Sequence, residues 1–182
     1  MLLRFEGVTL LRGGRLLFED LDLGIGPGEA LQVTGPNGCG KSSLIRLAAG
    51  LLKAARGSIE RAALALSDDF AALDRELPLK RALGFWGASP AEAMEALGIS
   101  QLSEVPVRLL SSGQVKRATL ARVAASGAKL WLLDEPLNAL DAAAVELLGK
   151  MIDRHRSAGG AVVAASHLAL PGEWRALNLH DF

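Results

Sequence analysis

Apolar and polar positions fall into short, separate patterns along the chain. From Leu3 to Leu10 they partly alternate, Arg12-Gly13-Gly14-Arg15 reads as a turn, and Leu16-Leu17-Phe18 resumes the apolar run. A period of two predicts strands, here an antiparallel hairpin or edge sheet. Alternation returns at Leu21, Leu23 and Ile25, breaks at Gly26-Pro27-Gly28-Glu29, and is followed by the short strand Ala30-Leu31-Gln32-Val33. Leu44, Ile45, Leu47, Ala48 and Leu51 then recur at helical spacing, which predicts a helix starting near Lys41 with one apolar face. Gly57 to Glu60 and Ala63 to Leu66 read as further strands.

From Ser67 the texture changes, with Asp68-Asp69-Phe70 followed by Pro78, Pro90 and Pro106. Short helices are predicted over 79–85 and 90–97, with Pro90 suited to a first turn. Residues 70–107 read as a helical insertion too short to bury a core of its own. With the helix predicted from Val115 to Ala125, the helical part spans about 70–125. Leu130-Trp131-Leu132-Leu133 and Ala161 to Ala165 are uninterrupted apolar runs, the profile of parallel strands buried on both faces. Asp141 is placed to cap a helix from Ala142 to about His155. Trp174 and the run 177–179 suggest a terminal hairpin strand or edge piece, and no internal repeat is visible. The fold class expected is α/β, one domain over 1–182 with a mostly parallel core sheet, an antiparallel N-terminal part and a short helical insertion.

Composition narrows this picture. A chain of 182 residues, half of them hydrophobic, supports one sizeable core. Twenty basic residues balance twenty acidic ones, so nothing argues for a nucleic-acid surface, and near-neutrality leaves room for a stable partner. The single Cys39 excludes an intrachain disulfide framework and fits a cytosolic setting. No apolar run approaches the roughly 18 residues of a membrane span, and Met1 to Glu6 lack the layout of a signal peptide.

The chemistry concentrates in a few places. Gly35-Pro36-Asn37-Gly38-Cys39-Gly40-Lys41-Ser42-Ser43 sits between a strand and a helix with the spacing of a phosphate-binding loop. Its glycines let successive N–H groups form an anion nest at the positive end of the helix. Lys41 can reach the outer phosphates of a nucleotide, and the Ser42 hydroxyl can ligate magnesium. Asp134 and Glu135 end the strand from Leu130, at the edge where open α/β sheets bind ligands. Asp134 is suited to magnesium, directly or through water, and Glu135 to orienting or deprotonating an attacking water. The plain alternative is a strand stopping at two solvated acids. His167 emerges at the same edge, whereas His155 and His180 read as surface groups. Ser111-Ser112-Gly113-Gln114 opens a helix whose first N–H groups are available to an anion, and Lys116, Arg117 and Arg122 read as its solvated side.

These motifs, in this order, resemble the ATPase subunits of ABC transporters over nearly the full chain. In that comparison Gly35 to Ser43 is the Walker A loop and Leu130 to Glu135 the Walker B strand. Leu110-Ser111-Ser112-Gly113-Gln114 is similar to the LSGGQ signature, Ala139-Leu140-Asp141 to the D-loop and His167 to the switch histidine. The resemblance implies a dimer in which Lys41, Ser42, Asp134, Glu135 and His167 of one copy surround MgATP, while Ser111, Gly113 and Gln114 of a second copy close over it. Three positions depart from the family pattern. Ser112 stands for a glycine; Asp68-Asp69 stands where a metal-contacting Gln is usual, leaving Asp68 as a third metal candidate; no ring occupies the Arg12–Arg15 bend, and Phe18 reads as core, so adenine is left to an aliphatic or Arg contact. The texture 107–114 and 129–141 is similar to the haem-exporter ATP-binding subunits of cytochrome c biogenesis. That implies a peripheral subunit on the cytoplasmic face of the inner membrane, an integral channel partner, and no direct haem site on this chain. A regulatory ABC-type subunit with little turnover and a soluble non-transport ABC ATPase are the alternatives.

Overall fold

The computed structural model describes residues 1–68 and 72–181. The N-terminal alternation forms two long strands, β1 (Leu3–Arg12) and β2 (Arg15–Ile25), joined at the Gly13-Gly14 turn and paired antiparallel from Leu3↔Ile25 to Arg12↔Arg15. The two apolar stretches before and after Asp20 are thus one strand, bent at Asp20, whose φ is 53°. β4 (Arg56–Arg61) pairs with the other edge of β1, giving a three-stranded sheet in the order β2-β1-β4.

The second sheet holds β3 (Ala30–Thr34), β5 (Leu64–Ser67), β6 (Leu130–Asp134), β7 (Ala161–Ala165) and β8 (Arg175–Asn178) in the order β5-β6-β7-β3-β8, every pair parallel. Of the two readings of the C-terminal run, hairpin strand or edge piece, β8 takes the second. It is an edge strand, but it runs parallel to β3, Leu31 facing Arg175 and Thr34 facing Asn178.

The apolar runs β6 and β7 are buried throughout because each face of the parallel sheet has its own cover. Leu130, Leu132, Val163 and Ala165 join the core shared with α1 (Lys41–Ala48) and the antiparallel sheet. Trp131, Leu133, Val162 and Ala164 face the helical core on the other side. That core is built by α2 (Leu79–Gly84), α3 (Pro90–Ala96), α4 (Ser112–Ala125) and α5 (Ala142–Ser157). Truncating one of the fully buried sheet leucines, such as Leu132→Ala, is worth about 2–5 kcal/mol of stability.

Pro90 takes the first helical turn of α3 as expected, and the Asp141 carboxylate caps α5 by accepting from Ala144 N at 2.8 Å. α4 begins three residues earlier than its apolar spacing suggests, because Ser111 caps it. Leu51 leaves the apolar face of α1: the helix ends at Ala48, the N–H groups of Ala49 and Gly50 close onto Ile45 and Leu47, and Leu51 is exposed. Among the described residues no helix is long and apolar enough to cross a membrane. Asp69 and Phe70 lie outside the described residues.

Candidate functional site

The loop between β3 and α1 is shaped by three glycines with positive φ: Gly35 at 136°, Gly38 at 79° and Gly40 at 115°. A side chain is strained at each, and at Gly35 an added Cβ would also stand 2.7 Å from Cys39 Sγ. The half-buried Cys39 is therefore a packing residue in a crowded turn. Gly40 precedes α1 without any side-chain cap, so the first N–H groups of that helix are left to an anion at its positive end. Lys41 is buried, and its ammonium donates to the carbonyls of Gly35 at 2.8 Å and Pro36 at 3.0 Å, folding over the loop it belongs to.

β6 carries its two acids to the same place. Asp134, only 4% exposed, accepts from the Ser42 hydroxyl at 2.9 Å, Oγ to Oδ1. One residue on, Glu135 N donates to Ala165 O at 2.8 Å, extending the β6–β7 ladder one residue past the end of β6. Glu135 has φ 45°, a conformation that costs a non-glycine residue about 1–2 kcal/mol and turns its side chain out of the strand direction. Its carboxylate Oε2 lies 2.9 Å from His167 Nδ1. His167 is held at the mouth of β7 because the Ser166 hydroxyl donates to Leu168 O and accepts from Leu168 N. With Glu135 ionised, Nδ1 carries the proton of that contact.

The cleft bounded by these groups holds about 300 Å³ and is lined by Asn37, Gly38, Gly40, Lys41, Ser42, Ser43 and Glu135, with Arg12 and Leu17 from the antiparallel sheet. The sequence offers no ring at the Arg12–Arg15 bend, and the wall there is Arg12 with Leu17. Phe18 is fully buried in the core, as expected, and a register shift of the β1–β2 pairing leaves Leu17 between the partnered positions Leu16 and Phe18. The signal for these residues is their position beside the Gly13-Gly14 turn, which aims β1 and β2 at the loop.

The signature-like segment lies elsewhere on the chain surface. Ser111 and Gln114 form a reciprocal cap: Ser111 Oγ accepts from Gln114 N at 3.4 Å and Gln114 Oε1 accepts from Ser111 N at 2.9 Å. Ser111 and Ser112 are exposed. Gly113 is required by contact, since an added Cβ would stand 2.8 Å from Ala139 O, in the turn after Glu135. Ala139 is itself at φ 62°. These groups do not line the cleft of their own chain.

Arg122 and His155 correct the sequence reading. Arg122 is buried, donating to Leu66 O at 2.5 Å, and its guanidinium lies 4.6 Å from the Trp86 ring. Burial pushes its pKa down, and the nearby Asp68 carboxylate opposes that shift. Asp68 is thus engaged electrostatically by Arg122 and does not line the cleft. His155 is likewise no plain surface group. Its ring stacks on Trp131 at 3.7 Å and 8°, Nε2 meets Lys129 O at 3.2 Å, and burial lowers its pKa. His180 is exposed as expected. Lys116 reaches Asp134 O at 3.3 Å, bracing the end of β6.

The family model for ABC transporters matches residues 18–138, a stretch holding the phosphate loop, the signature-like turn and both acids. The chain belongs to the ABC transporter family. It is an ABC-type ATPase. The cytochrome c biogenesis ATP-binding export protein CcmA of Sphingopyxis alaskensis is 53% identical over 93% of this chain and 92% of its own length. That of Novosphingobium aromaticivorans is 52% identical over 96% and 94%. Among solved structures, an ATP-binding subunit of an ABC transporter matches with a TM-score of 0.83 at 20% identity, covering 92% of this chain and 80% of its own. An ATP-binding cassette in a dimeric post-hydrolysis state with ADP and Pi matches at 0.78 and 21%, covering 92% and 88%. At such identities these two establish the fold of the ABC ATPase.

Proposed function

We propose that this ABC ATPase hydrolyses MgATP to drive an export step of cytochrome c biogenesis, its cargo haem or a haem-handling intermediate. The names and high identity of the curated relatives support the biological assignment. The observation that carries the chemistry is the Glu135–His167 contact of 2.9 Å beside the loop that ends in Lys41 and Ser42.

The residues fit a magnesium ion: a hydroxyl and a carboxylate, both hard oxygen donors, already meet at 2.9 Å in Ser42 and Asp134. Bound there, the ion would neutralise phosphate charge. The other steps belong to side chains. The Gly35–Ser43 amides and Lys41 bind the outer phosphates, the ammonium exchanging the Gly35 and Pro36 carbonyls for phosphate oxygens. Glu135 orients the attacking water and takes its proton, and His167 holds that carboxylate in place. Ser111, Gly113 and Gln114 act on the ATP of a second copy, so ATP joins two chains and its hydrolysis releases them. An integral membrane subunit, with this chain docked peripherally at its cytoplasmic side, would supply the path for cargo.

The test is Glu135→Gln in the complex co-purified from membranes. Phosphate release should fall by roughly 100-fold or more while ATP binding stays intact and the ATP-bound dimer accumulates. Undiminished hydrolysis would remove Glu135 from its role, and co-purification without an integral membrane subunit would remove the export assignment.

A further inference from the structure

We infer that Gln32, a residue of β3 that does not line the cleft, is a positioning residue for His167, and that turnover depends on the hydrogen bond from its amide to the Leu168 carbonyl. The inference rests on the roles proposed above for Glu135 and His167 and concerns what keeps those two side chains together.

β3 alternates across the sheet, with Leu31 and Val33 buried in the core shared with α1. Gln32 therefore faces the other side, the side of the helical core, where an aliphatic residue is the ordinary occupant of a parallel strand. Its partners across the two ladders are Ala164 of β7 and Ala176 of β8, so small neighbours leave a lane for a long side chain. The amide runs to the C-terminal edge of the sheet, where Nε2 donates to Leu168 O at 2.8 Å. A half-buried amide needs such a partner, and the one it takes is the backbone beside His167.

Residues 167–169 are exposed, Leu168 by 48%, so apolar burial does little to fix them. Hydrogen bonds do this instead. Ser166 N donates to Val33 O at 3.3 Å, and Leu168 O accepts from Ser166 Oγ at 2.9 Å as well as from Gln32. The Ser166 hydroxyl shapes a turn within the segment, and Gln32 joins that turn to the sheet. Both neighbours of His167 are thereby tied to consecutive residues of β3, the strand that leads into the phosphate loop at Gly35. His167 Nδ1 lies 2.9 Å from Glu135 Oε2, a contact that a shift of about 1 Å in this segment would break.

Gln32→Met keeps the length of the side chain and removes its donor. In the complex co-purified from membranes, kcat for ATP hydrolysis should fall about three- to tenfold, the scale of one hydrogen bond, with KM for ATP changed by less than about twofold. Gln32→Glu, which sets a carboxylate against the Leu168 carbonyl, should lower kcat further. Two readouts separate positioning from general support of the fold. Hydrogen–deuterium exchange in Gln32→Met should quicken about fivefold over residues 166–170 and stay as in the native chain over 35–43. In a His167→Ala background, followed by single-turnover phosphate release, Gln32→Met should bring no further loss, because both changes act through one contact. Equal losses in the two backgrounds, or exchange that quickens equally in both segments or in neither, overturn the inference. So does an unchanged kcat in Gln32→Met while Glu135→Gln still stops turnover. Undiminished hydrolysis in Glu135→Gln removes instead the roles proposed for Glu135 and His167, and the inference with them.

Discussion

Two helix starts on this chain are assigned to phosphate in the proposed function, and they are finished in opposite ways. α1 opens at Gly40 with no side-chain cap, in a cleft where Lys41, Ser42 and Asp134 are locked into short contacts. α4 opens at Ser111 with a complete reciprocal cap, on the surface, and lines no part of that cleft. The first helix start is ready for a ligand because its own side chains leave its amides alone. The second is stabilised by its own side chains at the surface of the chain. Such a division suits a chain that holds nucleotide in one place and completes a neighbour's site with another.

The largest effect expected is on the first start. Lys41→Ala removes the charged donor from the phosphates and should weaken ATP binding by roughly 10- to 100-fold in calorimetric titration, with no such loss in any signature variant. Next comes Gly113→Ala, whose new methyl would press on Ala139 O. ATP affinity of the single chain should be unchanged, whereas ATP-driven dimerisation, followed by light scattering in a Glu135→Gln background, should be lost. Equal loss of monomer binding would show that the two starts are not separate. Ser111→Ala should cost about 1 kcal/mol through the cap, a fall of about 2–4 °C in melting temperature, again without touching ATP affinity.

The smallest effect should spare both starts. The folded pKa of His155 lies below its unfolded value, so the native state prefers the neutral ring. Its contribution is full above the ordinary histidine value of about 6.5 and declines as pH falls through that value toward the folded pKa. Thermal melts between pH 8 and 5 should show this decline, and His155→Phe, which keeps a ring on Trp131, should flatten it.

The site was legible where chemistry is local. Gly35 to Ser43 must be a loop before a helix because its glycines and lysine act through their own backbone, and Leu130 to Glu135 announces a buried strand ending in acids. The α/β class and both core strands followed from the same runs. What stayed hidden depends on partners far along the chain. Arg122 shares a helical face with Ala118 and Ala125, and that spacing was a signal, but its positive neighbours made it look solvated. Trp131 is 24 residues before His155, so nothing near the histidine reveals the stack. Asp68 reads as a metal candidate from its place after β5, and its electrostatic engagement with Arg122 of α4 is not visible in the sequence. β8 could not be oriented from its own four residues, since parallel pairing is decided by β3.

The left-handed backbone at Glu135 and Ala139 carries a consequence for anyone seeking a hardier version of this molecule. Glycine relieves such a conformation, so a screen for heat resistance alone would be drawn to these two positions, each offering about 1 kcal/mol or more. The survivor at 135 would have lost its carboxylate. At position 135, selection for robustness and selection for turnover pull the same codon apart.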